Sequence, residues 1–175
     1  MHGQEPIKAL VALGSNIGDS REIILRAFQH LRPLSATSVM HSSLWTSEPV
    51  DCPPGSPAFV NAAAVLTPLP GETPESLLGK LQRLEVAFGR VPKLVLNEPR
   101  PLDLDLVAFG RESRASAALI LPHPRAVTRA FVLKPLAEIA AEVVMPGQTL
   151  SISQLASKVL DASTLRDSNS SPGTL

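Results

Sequence analysis

Between Arg100 and Phe109 the chain reads Arg-Pro-Leu-Asp-Leu-Asp-Leu-Val-Ala-Phe, and no other stretch narrows its folding choices as much. Side chains alternate faces along a β-strand. Leu102, Leu104 and Leu106 therefore point one way and Asp103 and Asp105 the other, the two carboxylates about 6.6 Å apart at ~3.3 Å per residue. The leucine side predicts a core and the aspartate side a cleft. Two carboxylates held that close on a largely buried strand repel each other and lose hydration, so they stay ionised only with cations between them. Hard oxygen ligands suit Mg²⁺, which keeps several waters and bridges carboxylates to substrate phosphates. An edge strand with a wetted polar face is the competing reading of the strand taken alone.

Length and charge bound the rest. With 175 residues the chain is expected to form one domain over residues 1–160, followed by a polar, small-residue tail, 161–175, expected to be disordered. Lys plus Arg equals Asp plus Glu at 16 each, so the basic excess of a general nucleic-acid binder is missing. Cys52 is the one cysteine, and His2, His30, His41 and His123 are scattered, which excludes an internal disulfide and zinc-ligand spacing. No apolar run of about 18 residues occurs, and Met1 to Pro6 lacks the charged and apolar regions of a signal peptide. The expectation is a cytoplasmic protein, a monomer, with neither a membrane nor a nucleic-acid partner.

Strand-like and helix-like patterns alternate along the chain. Ile7 to Leu13 is an apolar run ended by Gly14-Ser15-Asn16, which predicts a buried strand and a loop. Asp19 as N-cap, with Glu22 three residues on, opens a helix over Ser20 to Leu31 whose apolar face is Ile24, Ala27, Phe28 and Leu31. A weaker strand pattern spans Ala36 to Trp45, a proline-rich loop spans Ser47 to Pro57, and a strand follows from Phe59 to Leu66. Thr73 caps a second helix, Pro74 opens it, Leu77, Leu78, Leu81, Leu84 and Phe88 stripe it, and Gly89 ends it. A loop from Arg90 to Pro99 leads to the aspartate strand. Later helices are expected at about Thr128 to Ala140, kinked by Pro135, and at Ser151 to Leu160. Strand, helix, strand, strand, helix, strand is the order of a ferredoxin-like α+β sandwich, an antiparallel sheet with helices on its faces. In its simplest form the helices cover one face and leave the other available. A parallel α/β sheet is the runner-up, disfavoured by two strands in succession without a helix between them.

Gly14 to Asp19 lacks the lysine and spacing of a P-loop. Phosphate would have to be held by Mg²⁺ on the aspartates and by guanidinium forks, and the arginines near the motifs are Arg90, Arg100, Arg125 and Arg129. Four segments together are more informative: Leu13-Gly14-Ser15-Asn16; Phe59-Val60-Asn61-Ala62-Ala63; Arg83-Leu84-Glu85 through Gly89-Arg90; and Pro99 to Asp105 with Leu121-Pro122-His123-Pro124-Arg125 and Arg129 to Leu133. In this order and spacing, over about Lys8 to Pro146, the chain resembles the 6-hydroxymethyl-7,8-dihydropterin pyrophosphokinase family of folate biosynthesis. The resemblance implies a ferredoxin-like fold, ATP and 6-hydroxymethyl-7,8-dihydropterin as substrates, transfer of a diphosphate to the pterin hydroxymethyl group, and release of AMP.

Site roles are implied position by position. Asp103 and Asp105 match the ligands of two Mg²⁺ ions. Asn61 matches the amide that bonds the pterin ring, Phe59 and Phe131 the aromatics that sandwich it, and Ser47, Pro49 and Val50 the loop that reads its edge. Gln82 and Glu85 match positions lining the nucleotide or metal side. Arg90, Arg100, His123 and Arg129 match groups on the phosphates. Many relatives have a tryptophan where this chain has Asn97 and a tyrosine where it has Pro124, which implies retuned affinity. Pro92 stiffens a loop that relatives use as a lid, with Lys93 at its charged tip. Taken singly, Phe59 and Phe131 read as core packing, His123 as a surface turn, Arg129 as a solvated helix face, and Glu85 as a surface charge paired with Arg83 or Lys80. Rival functions are another Mg²⁺-dependent Asp-x-Asp enzyme, a phosphohydrolase or glycosyltransferase, or a non-catalytic module on the same sandwich.

Overall fold

A computed structural model describes residues 6–92 and 98–175; Lys93 and Asn97, with the centre of the expected lid, lie outside the described residues. The chain order is β1 (Ala9–Ser15), α1 (Ser20–Leu31), β2 (Met40–His41), β3 (Trp45–Ser47), β4 (Phe59–Leu66), α2 (Pro74–Ala87), β5 (Asp103–Phe109), a hairpin of β6 (Arg114–Ala115) and β7 (Ile120–Leu121), α3 (Ala130–Ile139), α4 (Ile152–Lys158), β8 (Leu165–Arg166) and β9 (Gly173–Thr174). The caps are those the side chains predict. Asp19 accepts from the Glu22 N–H at 3.1 Å, and Thr73 and Ser76 form a reciprocal capping box ahead of Pro74. Gly89, at φ +95°, takes the left-handed turn that follows α2.

All pairings in the main sheet are antiparallel, in the order β5-β1-β4-β2, with β3 also on β4. This is the ferredoxin-like sandwich. The weak strand expected from Ala36 to Trp45 is two short strands instead. Register decides what meets what: Gly14 lies between Asn61 and Asp103, and Ala12 between Ala63 and Asp105. Asn61, Asp103 and Asp105 thus share one face at one end of the sheet.

Two cores result. Val11, Leu13, Ala62, Ala64, Leu104 and Leu106 pack against Ile24, Phe28 and Leu31 of α1 and Leu77 and Leu81 of α2. On the opposite face Leu10, Ala63, Val65 and Val107 pack against Val132, Leu133, Leu136, Met145 and Ile152. Each leucine fully buried this way contributes roughly 1.5–3 kcal/mol. The second face is therefore not left available, because α3 and α4 bury its apolar half. Only the half carrying Phe59, Asn61, Asp103 and Asp105 is too polar to be covered in that way. The register between β1 and β5 shifts after Leu10, leaving Val107 without a partner in β1; its carbonyl accepts the His123 N–H at 2.8 Å. That bond brings His123 to the strand.

The tail also departs from expectation. Residues 165–166 pair with β3 and 173–174 with β2, and Leu175 packs on the first core. Polar, small side chains do not prevent this, because an edge strand needs only backbone partners, and the sheet edge supplies them. No described helix is long and apolar enough to cross a membrane.

Candidate active site

At the polar end of the sheet lies a cavity of about 250 Å³. Asp103 and Asp105 from β5, Asn61 and Phe59 from β4, and Ser47 at the end of β3 face it. Gln82 and Glu85 reach it from α2, with Arg90 and Arg100 from the segments on either side of 93–97. The wall leading into α3 contributes His123, Arg125, Arg129 and Phe131. Every residue assigned a role from sequence lines this one space except Pro49, which sits between two lining residues, Glu48 and Val50, without lining it.

Charge is densest around Asp103. Its Oδ2 accepts from Arg100 Nη2 at 2.9 Å and its Oδ1 from Arg90 Nη1 at 3.2 Å, and Arg90 also pairs with Glu85. Glu85 is not the surface charge that its helix position suggests. It is 5% exposed, and its Oε1 accepts the Leu104 backbone N–H at 2.7 Å, fastening α2 to the aspartate strand. Lys80 pairs instead with Glu72. Burial pushes the Glu85 carboxyl above its usual range, opposed by the Leu104 N–H and the Arg90 charge. Asp105 is pushed up by burial and then by the Asp103 charge, against His123, Arg129 and Arg100. Burial lowers His123, favouring its neutral ring, while Asp105 pulls the other way. Burial, then the charge of Arg125, likewise disfavours protonated Arg129.

Aromatic and amide groups form the other half. Asn61 Nδ2 donates to Ser47 Oγ at 2.8 Å, leaving the amide carbonyl uncommitted to that bond. Arg100 lies over the Phe59 ring at 5.7 Å and Arg129 over the Phe131 ring at 5.4 Å. Both rings thus face the cavity as well as packing. The Arg100 Nε is buried with no partner among the described residues.

Two contributors lie in the segments that carry the resemblance but receive no site role from it. Asn16, 3% exposed, accepts the Arg100 N–H on its Oδ1 at 2.9 Å and donates from Nδ2 to the Pro57 carbonyl at 3.3 Å, joining the phosphate-side and aromatic-side segments. Its place in the Leu13-Gly14-Ser15-Asn16 segment marks the family and a loop but not this pair of hydrogen bonds. Arg125 stands in the sequence as one of four arginines that could hold phosphate, and the tertiary structure brings it to the cavity wall.

Residues 10–141 match the family model of 7,8-dihydro-6-hydroxymethylpterin-pyrophosphokinase. The chain is 38% identical over 157 residues to a 2-amino-4-hydroxy-6-hydroxymethyldihydropteridine pyrophosphokinase of Haemophilus influenzae, covering 89% of this chain and 94% of that protein. It is 40% identical over 152 residues to the folic acid synthesis protein fol1 of Pneumocystis carinii, covering 86% of this chain but 20% of the fungal protein. A crystal structure of Plasmodium falciparum HPPK-DHPS superposes with a TM-score of 0.73 at 12% identity, covering 100% of this chain and 51% of that one, which shows the shared fold. The chain thus spans a fifth to a half of the fungal and Plasmodium proteins and nearly all of the Haemophilus one.

Proposed function

The chain belongs to the 7,8-dihydro-6-hydroxymethylpterin-pyrophosphokinase family, and on that premise we propose that its cavity transfers a diphosphate from ATP to the hydroxymethyl group of 6-hydroxymethyl-7,8-dihydropterin, with AMP as the second product. The observation that carries this reading is the convergence in one cavity of an aspartate pair, four arginines and an aromatic and amide slot. A phosphohydrolase has no use for that slot, and a plain binding module has none for the clustered charge.

The residues fit a magnesium ion. Both aspartates face the cavity, and among the described residues no third His, Cys, Asp or Glu completes an all-protein cage. That leaves coordination positions for water and phosphate, the usual Mg²⁺ arrangement. Asp103 and Asp105 would hold Mg²⁺, as two ions in this reading, which would supply neutralisation of the triphosphate charge and polarisation of the transferred phosphate. Arg90 and Arg100 hold the triphosphate, the unpartnered Arg100 Nε being one donor available to it. Arg129 and His123 contact phosphate from the facing wall, and Gln82 and Glu85 line the nucleotide side.

Phe59 and Phe131 take the flat heterocycle between them, Asn61 and Ser47 bond its rim, and Pro49 and Val50 belong to the loop along its edge. So held, the hydroxymethyl oxygen attacks the β-phosphorus in line while the bond to the AMP oxygen breaks, with positioning and charge supplying most of the acceleration. In this reading one chain supplies every group named here and acts as a monomer.

The test is the nucleotide product. With ATP, Mg²⁺ and the hydroxymethyl pterin, chromatography should show AMP formed one for one with pterin diphosphate. ADP as the stoichiometric product, or AMP released equally fast without pterin, overturns the reading.

A further inference from the structure

Two of the cavity's four arginines form close ion pairs with carboxylates and two do not. Arg90 and Arg100 share Asp103, and Arg90 also has Glu85. Arg125 and Arg129 flank the single 3₁₀ turn Ala126–Thr128, and neither forms an ion pair with any described residue. The backbone of Arg125 is held: its N–H donates to His123 Nδ1 at 3.3 Å and its carbonyl accepts from Thr128 Oγ1 at 3.1 Å. Its guanidinium makes no hydrogen bond to the described residues, although it lines the cavity beside Arg129. Among the described residues the Arg129 guanidinium lies over the Phe131 ring and feels, without a close ion pair, the charges of Asp105, Asp51 and Asp103.

Two guanidiniums on one wall repel each other, and the partial burial of Arg129 raises the cost. The carboxylate charges that act on Arg129 are those of Asp105, Asp51 and Asp103, and the two on β5 are the groups that a cation would occupy. An anion arriving between the two arginines removes the repulsion, and planar forks suit phosphate oxygens. A neutral heterocycle rim offers no such gain.

We propose that Arg125 is a phosphate-binding residue paired with Arg129, gripping the β,γ end of the ATP triphosphate and setting nucleotide affinity without contributing to the pterin slot. The identity of the anion rests on the diphosphate-transfer reading above. Arg125 is exposed, so substitution there leaves the cores untouched. Calorimetry should measure Mg²⁺-bound non-hydrolysable ATP analogue, AMP and pterin on wild type, Arg125→Ala and Arg125→Lys. Arg125→Ala should weaken the analogue about tenfold, Arg125→Lys less, with AMP and pterin affinities within about twofold of wild type. An analogue affinity that changes by less than about twofold overturns the proposal, as does a parallel loss for AMP or pterin. The wild-type product assay separates the two readings: AMP formation with an indifferent Arg125→Ala defeats this inference alone, whereas ADP formation defeats the diphosphate-transfer reading while the analogue titration still tests Arg125.

Discussion

Asp103 and Asp105 look equivalent as letters and differ in their surroundings. Asp103 holds two arginines, whereas Asp105 is half-buried, repelled by Asp103, and takes no hydrogen bond from the described residues. Either substitution should reduce turnover well beyond tenfold, and a loss smaller than that, only ~1.4 kcal/mol of barrier, would remove these residues from the metal role. Stability should split them. In Mg²⁺-free buffer at neutral pH, Asp105→Asn should raise the Tm by relieving a partly buried like-charge repulsion, and Asp103→Ala should lower it by stranding Arg90 and Arg100. Calorimetric scans showing equal shifts for both would refute the contrast. Asn61→Ala should raise the KM for pterin more than for ATP, because its amide joins Ser47 on the aromatic side alone.

Among the elements, the C-terminal segment does more than its composition suggests. It pairs with β2 and β3, and it is tied to α3 through Lys134 Nζ, which donates to the Asp161 and Thr164 carbonyls at 2.7 and 3.0 Å, and through the Arg166–Glu138 pair at 3.0 Å. Because β3 ends in Ser47, deleting residues 161–175 should lower the Tm and raise the KM for pterin, with ATP affinity little changed. Steady-state kinetics with unaltered pterin KM would show that the segment does not support the slot. Hydrogen bonds from Ser163 and Thr164 hold Asp161 down to about 2. A depressed carboxylate stabilises the fold above its ordinary 3.8, and that contribution is lost as pH falls toward 2. Hydrogen exchange in residues 161–166 should therefore quicken across that window ahead of exchange in β1 and β4.

For the whole molecule, two cores on opposite faces of one sheet leave a single polar end uncovered, so ligand binding should be read out as global stability. At a concentration of about 100 Kd, an ATP analogue with Mg²⁺ should add ~2.7 kcal/mol, and clearly less when Mg²⁺ is withheld. Denaturant titrations giving the same gain with and without Mg²⁺ would contradict metal-assisted binding. By itself the sequence determined what depends on neighbours along the chain: the capped helices Ser20–Leu31 and Pro74–Ala87, the two-faced strand from Asp103, and the motifs that mark the family, since 3.6- and 2-residue periods and caps are local signals. Tertiary structure alone decided the rest. The covering of the second face by α3 and α4, the pairing of the tail, the burial of Glu85 against Leu104, and the meeting of Asn16 with Arg100 join residues 19 to more than 100 positions apart. Polarity and spacing along the chain carry no record of such partners, because burial and hydrogen bonding are settled only when distant segments pack.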